Sequence, residues 1–296
     1  MTARRMRATS NILANLLISR KVSAANLSLL EAPTLLKHHK LPPKDKETWD
    51  QAYKDEYDGL VGIDTWETIT EEEYQQMKSS YKGLLPTMAI TVIKYDGEGN
   101  PVRAKYRIVA LGNLDPNRWS KSECFAPVLS QMELRFIVAL AVQHKCIPKT
   151  GDVSQAFCQS YLPEGENYIC KPPPGCPLTK PGLYWKLKKT LYGLKRSPRH
   201  FYELAKKTLA KCGLKQHPSS PCIFYGHTIP GQPPLYLGLY VDDFIYFSES
   251  PDVETKSEND FGGHLDTDFN GKIGYFLGIN FHTQQDIDKA VHIIMN

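Results

Sequence analysis

The stretch Leu235-Tyr-Leu-Gly-Leu-Tyr-Val-Asp-Asp-Phe-Ile-Tyr-Phe247 sets two apolar, aromatic-rich runs on either side of adjacent carboxylates, Asp242 and Asp243. Both runs have strand composition. Strand interiors are depleted in aspartate, and a buried charge costs several kcal/mol unless it is paired or metal-bound. A solvent-exposed hairpin turn is the plainer reading. Such a turn normally carries Gly or Asn at its positive φ angles, and neither is present here. A divalent-metal site accounts better for the pair. Two ions roughly 3.5–4 Å apart need a bridging carboxylate from elsewhere in the chain. Asp152, in Lys149-Thr-Gly-Asp-Val-Ser-Gln-Ala-Phe157, is the candidate. On neighbouring strands the three aspartates would form an oxygen-rich site suited to magnesium.

Around this centre the chain has the make-up of a folded α+β protein. It has 296 residues, 41% hydrophobic and 23% charged, with 36 Lys and Arg against 32 Asp and Glu. That length argues for one large domain or two modest ones. No run approaches the ~18 apolar residues of a membrane-spanning helix, so no membrane partner is expected. Seven cysteines without CxxC or His-paired spacing read as reduced thiols rather than a zinc site or disulfide framework.

Residues 1–44 read as a poorly ordered N-terminal linker. Arg4, Arg5 and Arg7 precede the run Ile12 to Ile18 in the manner of a transit peptide, but no clear cleavage site follows and Pro42–Pro43 closes the segment. Residues 45–296 read as the folded domain. Trp49, Ala52, Tyr53, Tyr57 and Leu60 recur at helical spacing up to Gly59 and Gly62. Met88–Lys94, the turn at Asp96 to Asn100, and Val102–Leu111 read as a β-hairpin. Arg103, Lys105 and Arg107 recur at period two on its second strand and share a face. Ser130 with Glu133 is a capping box. Ser197 as cap, with Pro198 at the first helical position, opens a helix that stops at Gly213.

Charge is uneven. From Pro181 to Lys215 ten Lys or Arg face the single acid Glu203, with Tyr184, Trp185, Tyr192, Phe201 and Tyr202 interleaved. Cations suit phosphates and rings suit bases, so this run is a candidate nucleic-acid surface, a solvated basic face being the alternative. Glu249 to Asp268 is acidic and is expected to lie away from any phosphate backbone.

The ordered motifs resemble the reverse transcriptase of copia-type long-terminal-repeat retrotransposons. Phe125-Ala-Pro-Val128, Asp152-Val-Ser-Gln-Ala-Phe157, Leu191-Tyr-Gly-Leu-Lys195 with Pro198-Arg199, Tyr240-Val-Asp-Asp243 and Tyr275-Phe-Leu-Gly-Ile279 stand in the family's order. The chain departs from the family pattern at Met88-Ala89 (Lys-Trp in the family), Gln159-Ser160 (Asn-Gly) and Arg196 (Gln).

This resemblance implies a right-hand polymerase, with fingers and an antiparallel palm sheet packed on helices. It also implies a nucleic-acid-templated DNA polymerase activity using two Mg²⁺ ions, for which Mn²⁺ can substitute. Asp152, Asp242 and Asp243 would be the catalytic metal ligands. Lys105 and Arg107 would grip the triphosphate, and Tyr192 and Gly193 would line the nucleotide pocket. Phe157 would be a steric gate against ribose, a core phenylalanine being the plainer reading. Lys195, Arg196, Arg199 and Tyr240 would meet the template–primer. The expected partners are an RNA or DNA template–primer, deoxynucleoside triphosphates, and a second copy or other parts of a retrotransposon polyprotein. The expected location is a cytoplasmic particle or the nucleus. A degenerate or domesticated retrotransposon fragment that binds nucleic acid without polymerising is the alternative function. The family's thumb is expected to be largely absent, leaving Phe276 and Leu277 exposed.

Overall fold

The computed structural model describes residues 43–95, 100–174, 176, 178–285 and 291–295, with side chains from residue 46 onward. The N-terminal linker, apart from its last two residues, and the hairpin turn at 96–99 lie outside this set. Helix α1 (Pro43–Gly62) begins with proline in its first turn, two residues before the expected boundary at 45. It buries Trp49, Tyr53 and Leu60, the face that the helical spacing marks. None of the described helices is long and apolar enough to cross a membrane.

After α1 come β1 (Trp66–Thr70), α2 (Glu71–Met77), and the hairpin β2 (Leu84–Tyr95) and β3 (Pro101–Ala110). With β5 (Ile169–Lys171) and β6 (Leu183–Leu187) the strands form a five-stranded sheet in the order β1-β6-β5-β2-β3. Its core stacks Trp66 on Trp185, ring centroids 4.2 Å apart. The edge strand β3 is capped from α1: the Ile108 N–H donates to the buried Glu56 carboxylate at 3.2 Å. That contact satisfies an N–H that an open edge would expose. On β3, Ala104, Tyr106 and Ile108 are buried while Arg103, Lys105 and Arg107 alternate with them, so the cationic face is confirmed.

The second sheet has six strands in the order β11-β4-β10-β9-β8-β7. They are β4 (Lys149–Val153), β7 (Lys215–His217), β8 (Ser220–Gly226), β9 (Leu235–Tyr240), β10 (Asp243–Phe247) and β11 (Thr267–Lys272). Helices cover both faces. Phe244 and Tyr246 of β10 enter one core with α5 (Ser197–Lys211) and α6 (Pro251–Gly262), while Ile245 and Phe247 enter another with α4 (Gln131–Gln143). Burial on both sides explains why β9 and β10 read as nearly unbroken apolar runs. The capping box at Ser130 and Glu133 opens α4 as expected. A short helix, α3 (Lys121–Cys124), precedes it.

Two expectations change. Helix α5 starts at Ser197 itself, with Arg196 as the cap residue and Pro198 second in the helix. The Ser197 hydroxyl does not cap; it donates to the Leu191 carbonyl at 2.7 Å, tying the helix to the preceding loop. Phe276, expected to be exposed, is 5% exposed. It belongs to β12 (Tyr275–Phe276), which pairs with β13 (Ile279–Gln285) and through it with β14 (Val291–Met295). This small sheet closes against Leu134, Ile137 and Phe247, with Leu277 partly buried beside them.

All seven cysteines are free thiols, four of them buried. A buried phenylalanine is worth several kcal/mol. Phe276→Ala should therefore lower unfolding stability by about 3 kcal/mol in a denaturant titration, and a change below about 0.5 kcal/mol would show that this sheet does not bury it.

Candidate active site

The chain enters the site on β4 and leaves it sharply. After Val153, Gln155 takes a positive φ of 48° and a 3₁₀ turn (Ala156–Gln159) follows. The neighbouring hairpin brings β9 down to Tyr240 and β10 up from Asp243, so Val241 and Asp242 form a two-residue turn. The sequence argues against a tight turn here because it lacks Gly and Asn. The turn nevertheless forms, with Val241 itself at φ +56°. A β-branched residue is strained in that region, at a cost of order 1–3 kcal/mol, and holds it only because the two buried strands fix the turn from both sides.

The register then assembles the carboxylates. Asp243 stands directly opposite Asp152 across the β10–β4 ladder, and Asp268 of β11 stands opposite Asp152 on its other side. Directly opposed residues point to the same face with Cα atoms about 4.5–5.5 Å apart. Asp242 adjoins Asp243 in the turn. Burial, together with the charges of Asp242 and Asp152, pushes the Asp243 carboxyl up to about 6, with Lys94 opposing the shift. Burial also raises Asp152; Asp268 and Asp242 add to the rise, while the Asn270 amide and Lys105 oppose it. Asp268 closes the acidic stretch from Glu249, which the sequence places away from any phosphate backbone and does not include among the site carboxylates. It is in the site, because β11 folds back beside β4.

As the side chains stand, no three His, Cys, Asp or Glu among the described residues are arranged to hold a metal ion. The donor set itself suits a hard divalent cation: Asp152, Asp242 and Asp243 are oxygen ligands whose mutual repulsion a cation would relieve. The fit is one of donor chemistry and backbone placement.

Lys105 is close enough to Asp152 to lower its pKa. Burial, followed by repulsion from Arg107, lowers the pKa of Lys105 itself. The Arg107 guanidinium lies over the Tyr192 ring, 5.6 Å from its centroid, and its Nε is buried without a hydrogen-bond partner. Beneath both cations sits Glu56, whose carboxyl is raised by burial and lowered by Lys105 and Arg107. Glu56 is a member of this site that its isolated place in α1 does not advertise.

Phe157 packs between Tyr192 and Phe201, at centroid distances of 5.5 and 6.2 Å. It lines a cavity of about 360 Å³ with Phe125, Pro198, Leu239 and Val241 among its other walls. The close backbone approach at Gly193 is made within the protein. At φ +87° its missing side chain leaves room for the Ala110 carbonyl, which an added Cβ would meet at 2.1 Å. The Ala110 N–H donates to the Tyr192 carbonyl at 2.7 Å, so this loop is pinned to the end of β3.

The basic run proves less free than its sequence suggests. Lys186 pairs with Glu67 and Lys188 with Asp64, acids remote in sequence. Arg196, expected at the template–primer, is committed inside the protein: it pairs with the buried Glu166 and lies over the Trp119 ring. Arg199 pairs with Glu203 at 2.8 Å and reaches the Phe125 carbonyl. Lys195 is exposed, and Tyr240 is half-buried opposite Asp243.

Residues 79–293 match the family model described as reverse transcriptase (RNA-dependent DNA polymerase). A Pol polyprotein of transposon RE1 from Arabidopsis thaliana is 27% identical over 79% of this chain and 15% of its own length. The Gag-Pol polyprotein of transposon Ty1-LR2 from Saccharomyces cerevisiae is 29% identical over 72% of this chain and 11% of its own length. The chain thus spans less than one sixth of these relatives. Among solved structures, a foamy viral protease-reverse transcriptase in complex with double-stranded DNA matches with a TM-score of 0.37 and 17% identity, over 66% of this chain and 29% of that one. With its five motifs in order and the family match running from residue 79 to 293, the chain belongs to the reverse transcriptase (RNA-dependent DNA polymerase) family, in its copia-type retrotransposon branch.

Proposed function

We propose that this chain carries the catalytic centre of a retrotransposon's RNA-directed DNA polymerase, working by two-metal nucleotidyl transfer on a template–primer. The observation that carries the reading is the cross-strand register that sets Asp152 against Asp243, with Asp242 in the adjoining turn and Lys105 within electrostatic reach. Asp152 and Asp242 would hold both Mg²⁺ or Mn²⁺ ions, with Asp243 completing or supporting the site. The ions would supply Lewis-acid activation of the primer 3′-oxygen and charge neutralisation at the leaving pyrophosphate. Lys105 and Arg107 would clamp the triphosphate of an incoming deoxynucleotide. Tyr192 would form a wall of the nucleotide pocket, while Lys195, Arg199 and Tyr240 would meet the template–primer. Such a polymerase would work in a cytoplasmic retrotransposon particle.

Primer extension on an RNA template tests this. Asp152→Asn and Asp242→Asn remove charge without removing volume, and each should cut extension by about a hundredfold or more at unchanged circular dichroism. Extension by either variant at the wild-type rate would sink the metal assignment. Template binding without extension by the unsubstituted chain would support the binding-only alternative.

Sugar selection gives a second expectation. Phe157 is half-buried at the cavity wall beside Val241, so its ring would fill the space a ribose 2′-hydroxyl needs. Phe157→Val should raise the ribo- to deoxynucleotide ratio of kcat/KM by about tenfold or more. An unchanged ratio would leave Phe157 as a packing residue only.

A further inference from the structure

The ladder between β11 and β4 skips one residue. Asp268 faces Asp152 and Phe269 faces Gly151, but Gly271 rather than Asn270 faces Thr150. Asn270 is therefore the extra residue of a β-bulge, followed by Gly271 at φ +75°. An added Cβ at Gly271 would meet nothing within 4 Å, so backbone conformation and not crowding is what asks for glycine there. Bulges bend a strand and re-aim a side chain, and they gather beside active sites. This one turns the Asn270 amide onto the catalytic carboxylate: Nδ2 donates to Asp152 Oδ1 at 3.2 Å.

Asp152 needs such a partner. It has a carboxylate opposite it on each neighbouring strand, Asp243 and Asp268, and like charge sets it against both. Asp268 is itself held by a hydrogen bond from the Ser154 hydroxyl at 3.3 Å. Left to itself, the Asp152 side chain would be driven away from both. The amide is a neutral donor, so it can anchor one carboxylate oxygen without competing as a ligand or adding charge.

We infer that Asn270, delivered by the bulge, is a positioning residue for nucleotidyl transfer, fixing the orientation of the Asp152 carboxylate toward the face it shares with Asp243. This rests on the polymerase reading of the carboxylate site. Asn270 is exposed, so its replacement removes the amide without opening a core.

The test pairs Mn²⁺ binding to the full chain, read from the electron paramagnetic resonance of the free ion, with steady-state primer extension. Asn270→Ala should weaken Mn²⁺ binding about tenfold and lower kcat by a similar factor, with the KM for deoxynucleotide unchanged. Asn270→Gln keeps the amide on a longer stem and should recover most of both losses. Asp152→Asn is the reference. If it binds Mn²⁺ as the unsubstituted chain does, the polymerase reading of the site is what fails. If it weakens binding while Asn270→Ala leaves binding and kcat unchanged, or if Asn270→Gln is as impaired as Asn270→Ala, the positioning role is overturned.

Discussion

Asp243, Asp152 and Asp268 stand side by side on three adjacent antiparallel strands, so like charges face one another across two successive ladders. Opposed like charges destabilise a sheet, and partial burial sharpens the repulsion by weakening the solvent's screening. The strands cannot slip to relieve it. A one-residue shift of β10 would exchange Phe244 and Tyr246 with Ile245 and Phe247 between two separate cores, each already filled by helices. Hydrophobic packing on both faces thus holds together a charge row that electrostatics alone would push apart. Such opposition between packing and charge, with the raised carboxyl pKa values it produces, is common at functional sites.

The same packing sustains the local irregularities around the row. Val241 is held at a positive φ because β9 and β10 arrive at the turn already paired. Gln155 turns the chain out of β4 in the left-handed region immediately past Asp152. A bulge in β11 then takes up one residue opposite Thr150. Val241, Gln155 and the bulge at Asn270 all lie within three residues of an aspartate of this row, while the β8–β9 ladder beside it runs without interruption.

A second constraint fixes the cationic hairpin relative to these acids. The loop carrying Tyr192 and Gly193 is pinned to Ala110 at the end of β3, and the Glu166 carboxylate gathers Arg196 and His200 from the start of α5. Asp115 extends the joint, accepting from Trp119 Nε1 at 3.0 Å and from the Tyr168 hydroxyl at 3.1 Å. These buried polar contacts set the two sheets in one relation. They also give Gly193 and Arg196, expected in the nucleotide pocket and at the template–primer, contacts within the protein.

Much of this was legible in the sequence wherever the determining distance was short. Period two on β3 placed Arg103, Lys105 and Arg107 on one face, helical spacing gave the buried side of α1, and Ser130 with Glu133 gave the start of α4. The order of five motifs gave the family. What only the tertiary structure decided was set by pairing between distant segments. Asp268 and Asn270 joined the site because β11 lies against β4 with one residue bulged, and nothing within β11 marks its partner or its register. Phe276 found cover in a small sheet closing on α4, while Lys186 and Lys188 found acids more than a hundred residues away and Arg196 one thirty residues away. Local spacing fixes which residues share a face, because backbone geometry repeats every two or 3.6 residues. Which faces meet depends on how the whole chain buries its apolar surface, and that is a property of the folded molecule.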